Sequence, residues 1–341
     1  MTELLADHTT LRLGGPAARW VRATTEEELT AAVAAADAAG EPVLVLGGGS
    51  NLVVADGGFD GTVVEVATRG VSPDVDEGIS CGGVMVTVSA GENWDDLVAL
   101  AVDKEWAGIE ALSGIPGSVG ATPIQNVGAY GQEVSQTIAS VRVWDRVLRG
   151  VRTFANADCG FGYRTSRFKA DPGRHVVLSV TFQLRQGSLG GPVVYAELAR
   201  TLGVEPGERA TLADVRRAVL GLRTGKGMVL DPADHDTWSA GSFFTNPVVA
   251  ADAVPDGAPA WPQPDGTVKT SAAWLIERSG FAKGHGNDRV ALSGKHTLAL
   301  TNRGGATTAD LLDLAREVRD GVEARFGIRL VNEPVLVGCE L

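Results

Sequence analysis

Between Ala111 and Gln132 the chain carries Gly114, Gly117, Gly120, Gly128 and Gly131 and not one charged residue. Glycine has no Cβ and tolerates positive φ, so its main chain can lie directly against a ligand. The N–H groups it exposes can bind a pyrophosphate without a cationic side chain. The stretch therefore reads as a dinucleotide cradle made by Gly114, Ile115, Pro116, Gly117, Ser118, Gly120, Ala121, Gln125, Asn126, Gly128, Ala129 and Tyr130. A second cluster, Leu46-Gly47-Gly48-Gly49-Ser50-Asn51-Leu52, ends an apolar strand, which is where α/β sheets bind ligands. It is not a Rossmann fingerprint. Leu52 stands where GxGxxG needs its last glycine. Together the clusters describe a dinucleotide held by loops of two small domains.

A net charge of −12 and a pI near 4.9 give no support to a nucleic-acid or anionic-membrane partner. An anionic small ligand would need scattered cations gathered into one cleft. Residues 1–10 lack the basic start and apolar core of a signal peptide, and no stretch approaches the length of a membrane span. Cys81, Cys159 and Cys339 are few, odd in number and far apart, which predicts reduced thiols. No CxxC or HExxH occurs, so no metal is expected. A cytoplasmic monomer is the expectation.

The patterning alternates early and turns strand-rich later. Residues 25–39 read as a helix capped by Thr24 or Thr25, 43–46 and 62–66 as strands. Residues 84–88, 141–144, 149–154 and 176–184 read as further strands, with a short helix opening at Trp94. Helices are predicted over 195–202, 211–222, 270–279 and 308–326, and strands over 296–300 and 335–337. In 308–326, Leu311, Ala315, Val318, Val322 and Phe326 share one face. The stretch 255–266 reads as a loop. Three divisions follow: 1–67, 68–230 and 231–341, with the last strand (about 330–341) packing back on the second.

Three segments set polar groups in apolar surroundings: Gly160 to Ser166 around Arg164, Ala240 to Pro247 around Ser242, and Val331 to Val335 around Glu333. At these residues the chain resembles the UDP-N-acetylenolpyruvoylglucosamine reductases, flavoenzymes of peptidoglycan precursor synthesis. The similarity runs in order through residues 10–16, 47–51, 91–94, 115–131, 161–169, 241–247, 273–277 and Glu333. It implies an α+β chain with an FAD-binding fold of the vanillyl-alcohol-oxidase type. Two α/β subdomains would hold FAD without a covalent bond, and a C-terminal α+β domain would bind substrate.

The resemblance also implies chemistry: NADPH reduces FAD, and hydride then passes to C3 of the enolpyruvyl group of UDP-N-acetylglucosamine enolpyruvate. Arg164 matches the arginine that pairs with the substrate carboxylate, which a fixed guanidinium does bidentately. Ser242 matches the proton donor to C2. Glu333 matches the third catalytic residue, either donating as an acid or orienting Ser242 or a water; both readings stay open. Tyr130, Tyr195, Lys226 and Asn246 are the implied substrate contacts, with Arg223 (three residues before Lys226), Tyr163, Lys269, Lys283 and His296 added as candidates. Thr245 stands where a lysine is frequent, and His296 where relatives vary between Gln and His. Vanillyl-alcohol-type oxidases usually show a His or Cys for flavin attachment near the cradle; no His lies between His8 and His175. A binding module without turnover is disfavoured by the joint presence of Arg164, Ser242 and Glu333.

Overall fold

The computed structural model describes residues 3–74 and 83–341. Cys81 lies outside the described residues. The chain divides into two compact units that do not follow chain order: Ala18–Gly48 with Asp60–Thr224, here the sheet unit, and Met1–Ala17, Gly49–Phe59 and Gly225–Leu341, the composite unit.

The sheet unit is built on an antiparallel sheet in the order Gly150–Ala155, Ile138–Asp145, His175–Gln186, Gly83–Ser89, Val71–Asp74, with Trp106–Ala107 beside the third strand. Residues 83–89 alternate exposed and buried, so Val84, Val86 and Val88 point to the core. There they meet Val141, Val180, Phe182 and Trp94 of the helix Trp94–Asp103. Trp94 is fully buried, and its indole N–H donates to Leu112 O at 3.0 Å. A smaller sheet orders Ala17–Ala23, Phe59–Val66 and Val43–Leu46, the last two parallel. The helix Glu26–Ala39 starts at Thr25, whose side chain accepts the Glu28 N–H, and ends at Gly40 with φ 68°.

The composite unit is centred on the helix Thr308–Phe326, whose bounds are those the pattern predicts. Thr307 and Asp310 form a capping box, and Leu311, Ala315, Val318 and Val322 are buried, while Phe326 is half-buried. Their core includes Leu11, Leu13, Val53, Phe243, Phe244 and Leu275. Removing one such leucine side chain would cost about 2–5 kcal/mol. Distant segments are stitched in by polar bonds. The Asp56 carboxylate accepts the Thr308 N–H at 2.7 Å and the Ala309 N–H at 3.1 Å, completing the positive end of the helix. The Asn302 amide donates to Leu11 O at 3.0 Å.

Some expectations are corrected. The strand expected at 296–300 lies at Leu300–Asn302. The N–H groups of Lys295 and His296 bond the Ser293 hydroxyl instead, and Ala299 N–H bonds His296 O, so residues 293–299 turn. The loop expected at 255–266 contains the strand Ala260–Pro262, paired with Val268–Thr270. The last strand, Val335–Val337, pairs in parallel with Leu52–Val54 and not with the sheet of residues 68–230. Its hydrogen-bonding edge is met by the residues that continue from the Gly47–Asn51 cluster.

Candidate active site

In the sheet unit the two glycine clusters meet. A Cβ placed on Gly48 would lie 2.6 Å from Gly117 Cα, and one on Gly47 would lie 2.5 Å from Ser118 Oγ. At Gly48 main chain therefore packs on main chain, while Gly47 packs on the Ser118 hydroxyl, and neither position has room for a side chain. The cradle is fixed from behind. Val119 N–H donates to Glu92 O at 2.9 Å, Gly120 N–H to Ala90 O at 2.8 Å, and Trp94 N–H to Gly117 O at 3.0 Å. A glycine-lined polypeptide surface at the end of an apolar strand fits the pyrophosphate of FAD. Leu46 is buried, and Ile115 and Ala129 pack on the core, so these three can serve a cofactor chiefly through their main chain. The Asn126 side chain is spent inside the protein: it donates to Glu133 at 2.8 Å and Gly162 O at 3.1 Å and accepts from Ser135 N–H at 3.1 Å.

The bond from Asn126 to Gly162 O begins a set of ties between the cradle and the loop bearing Arg164. Arg164 donates to Gly128 O at 3.0 Å, and the Ser166 hydroxyl to Ile124 O at 2.5 Å. The Lys169 ammonium holds Arg164 O at 3.1 Å. Arg164 sits at φ 53°, Asn126 at 48° and Tyr130 at 50°. Such values are uncommon outside glycine and persist only where the surroundings enforce them. Three of the six non-glycine residues with positive φ among the described residues are thus expected site residues. The Tyr130 and Tyr195 rings meet edge-on at 6.0 Å, and Tyr163 and Tyr195 are exposed.

Arg223 lies on the helix Leu212–Gly225. Burial pushes its guanidinium down to about 10, against the pull of Tyr130 and Asp95 and with the push of Arg164. Arg223 stays cationic at neutral pH, and two guanidinium groups share a neighbourhood with Tyr130. The Asp95 carboxyl resists its own burial. Arg216, at 2.6 and 2.9 Å, and the Gly114 N–H, at 2.6 Å, hold it below its usual range. Asp95 thereby joins the first glycine of the cradle to the helix that carries Arg223.

In the composite unit, residues 242–246 run antiparallel to 331–333. Phe244 bridges Asn332, Glu333 N–H donates to Phe243 O at 2.8 Å, and Thr245 N–H to Val331 O at 3.0 Å. Phe243 and Phe244 are buried, with ring centroids 5.1 Å apart, and anchor the segment that begins at Ser242. Val335 N–H donates to Asn51 O at 2.9 Å. Ser242, Glu333 and the second half of the 46–52 cluster (Gly49, Ser50, Asn51 and Leu52) are therefore brought together by main-chain pairing. Ser242 and Glu333 are both half-buried. Asn246 Oδ1 accepts the Ala272 N–H at 3.0 Å and steadies the helix Ala272–Arg278. His296 and Lys226 are half-buried, Lys269 lies 6.0 Å from the Trp261 ring centroid, and Lys283 is exposed. No group of His, Cys, Asp and Glu suited to a metal ion occurs among the described residues. Among them no helix is long and apolar enough to cross a membrane.

Reasoning from sequence missed Asp95, Arg216, Glu110 and Gln132, which support the site and do not line it. An acid in the first turn of a helix gives no sign of its partner.

Residues 17–147 match the family model of an FAD binding domain, and residues 231–337 that of the C-terminal domain of UDP-N-acetylenolpyruvoylglucosamine reductase. The chain is 62% identical to the UDP-N-acetylenolpyruvoylglucosamine reductase of Cutibacterium acnes over 99% of this chain and 90% of that one. It is 58% identical to the one from Streptomyces avermitilis, over 99% and 94%. The crystal structure of the Thermus caldophilus reductase superposes with a TM-score of 0.65 at 25% identity, covering 99% of this chain and 98% of that one.

Proposed function

The chain belongs to the UDP-N-acetylenolpyruvoylglucosamine reductase family, and from that premise we propose that it reduces the enolpyruvyl group of UDP-N-acetylglucosamine enolpyruvate to UDP-N-acetylmuramate, using NADPH and tightly held FAD. It is an FAD-dependent oxidoreductase of peptidoglycan precursor synthesis. The observation that carries the reading is the glycine-on-glycine cradle tied directly to a strained arginine loop.

When bound, FAD supplies hydride storage between the two substrates. Gly47, Gly48, Gly117 and Ser118 would hold its pyrophosphate, with Asn51 and Leu52 following on the chain. The chain's own residues carry the rest. Arg164, braced by Gly128 O and Lys169, pairs with the substrate carboxylate and stabilises the enolate charge that develops when C3 is reduced. The Ser242 hydroxyl gives a proton to C2; a hydroxyl is a weak acid, so its alkoxide needs neighbouring support. Glu333, on the segment paired beside Phe243, supplies that support or orients a water. Arg223 and Lys226 meet the anionic diphosphate, and Tyr130, Tyr163, Tyr195 and Asn246 contact substrate, with Lys269, Lys283 and His296 as further contacts. The functional division is the one the patterning suggests: 1–67 and 68–230 for FAD, 231–341 for substrate. A monomer working in the cytoplasm completes the reading.

The test is spectroscopic. The purified protein should be yellow, bleach on anaerobic addition of NADPH and recover colour with the enolpyruvyl sugar nucleotide. A protein that takes up FAD and stays oxidised under NADPH overturns the choice of reductant. One that takes up no flavin overturns the whole.

A further inference from the structure

Glu110 is 1% exposed, and among the described residues it has no cationic partner within ion-pair distance. Its charge is met by donors. The Gly108 N–H lies at 2.7 Å from one oxygen; the Gln132 amide at 2.8 Å and the Gly191 N–H at 3.3 Å share the other. Gln132 turns its own carbonyl to the Ala111 N–H at 2.8 Å. One carboxylate thus ties the start of the uncharged run, its end and the segment leading to Tyr195. A buried carboxylate is tolerated only when its lone pairs are filled, so these donors constrain one another's positions.

The segment from Leu189 to Tyr195 is a strap. Residues 190 and 193 are bonded to 210 and 208, and Gly207 N–H returns to Val193 O at 2.8 Å. Beneath it lies a cavity of about 360 Å³, bordered by Glu110, Tyr130, Gln132, Val193 and Leu198. Val193 anchors the strap in a core with Ala111, Leu198 and Val215, and on the cavity side Gly191 reaches Glu110. The strap touches the cradle at Gly131: a Cβ there would come within 2.5 Å of Val194 Cγ2. Beyond that contact, Tyr195 is 53% exposed while its ring meets the edge of Tyr130.

We propose that Glu110 is a positioning residue, which through Gln132 and Gly191 sets the strap so that Tyr195 stands beside Tyr130, where the reading above has both contact substrate. This rests on the function proposed above. It predicts a defect confined to the second substrate, because the Gly48–Gly117 contact lies outside the Glu110 network.

The experiment compares the two half-reactions, by rapid mixing, in wild type, Glu110→Gln and Gln132→Met. Glu110→Gln keeps shape but turns one acceptor into a donor facing a donor. The expected result is normal flavin content and NADPH bleaching, a KM for the enolpyruvyl sugar nucleotide raised about tenfold or more, and a smaller change in kcat. Gln132→Met should give the same split, and the double variant should cost less than the product of the single effects. Equal loss of both half-reactions, or an unchanged KM, overturns the proposal. Should Glu110→Gln fail to fold, Gln132→Met decides alone by the same split. A wild type that is inert in both half-reactions points instead to failure of the proposed function.

Discussion

The two units carry their candidate site residues in opposite ways. The sheet unit offers a continuous run of main chain, locked by its own hydrogen bonds and by residues held at positive φ. The composite unit offers Ser242 and Glu333, carried on short segments far apart in the chain and aligned by pairing with each other, with residues 51–54 and with Leu298. Binding a dinucleotide asks for shape, which local sequence can write. Delivering a proton asks for two or three side chains at fixed positions, which only tertiary pairing can give.

The largest effect should separate these tasks. Ser242→Ala should slow flavin reoxidation by the enolpyruvyl substrate about 10²–10⁴-fold and leave bleaching by NADPH largely intact, as read by stopped-flow absorbance. If both phases slow together, Ser242 is not the proton donor and the division of labour fails. Gly48→Ala strikes the other side. Its methyl group would meet Gly117 main chain at 2.6 and 3.0 Å, where nothing can yield easily. Overpacking of that kind costs about 1–3 kcal/mol, so FAD affinity should fall roughly 5- to 150-fold in a fluorescence titration. Unchanged affinity would mean that the cofactor does not rest on this approach.

The smallest effect concerns stability of the sheet unit. Asp145 is buried, and the Arg174 guanidinium, outweighing burial and helped by the N–H groups of Leu148 and Val147, holds its carboxyl at about 2 against an ordinary 3.8. A carboxyl depressed in the folded state stabilises it fully above its unfolded value. That contribution fades as pH falls from about 4 toward 2 and amounts to at most roughly 2 kcal/mol. Urea unfolding followed down this range should lose stability in wild type and lose less in Asp145→Asn. Parallel curves for the two proteins would assign the acid sensitivity to other groups.

The same contrast governs what the sequence discloses. The cradle was legible because composition, charge and glycine spacing lie in one stretch. The helix Thr308–Phe326 was legible because its cap and its apolar period agree. The strand Ala17–Ala23 was not, since its burial follows no alternation. Leu300–Asn302 was displaced because the Ser293 hydroxyl captures the N–H groups that a strand would have used. Nothing in spacing brings residue 333 to residue 243; resemblance named both residues, and main-chain hydrogen bonds do the joining. Glu110 looks like a solvated acid until its three donors are seen.

The parallel pairing of Val335–Val337 with Leu52–Val54 also has a consequence for how the chain is made. Segments of the sheet unit end at Thr224, so that unit can collapse while synthesis continues. Residues 52–54 must wait, with one edge open, until residues 335–337 have left the ribosome. The half that holds Ser242 is therefore the last to be completed, and it is where a stalled or slowed nascent chain would be most exposed to chaperones and proteases.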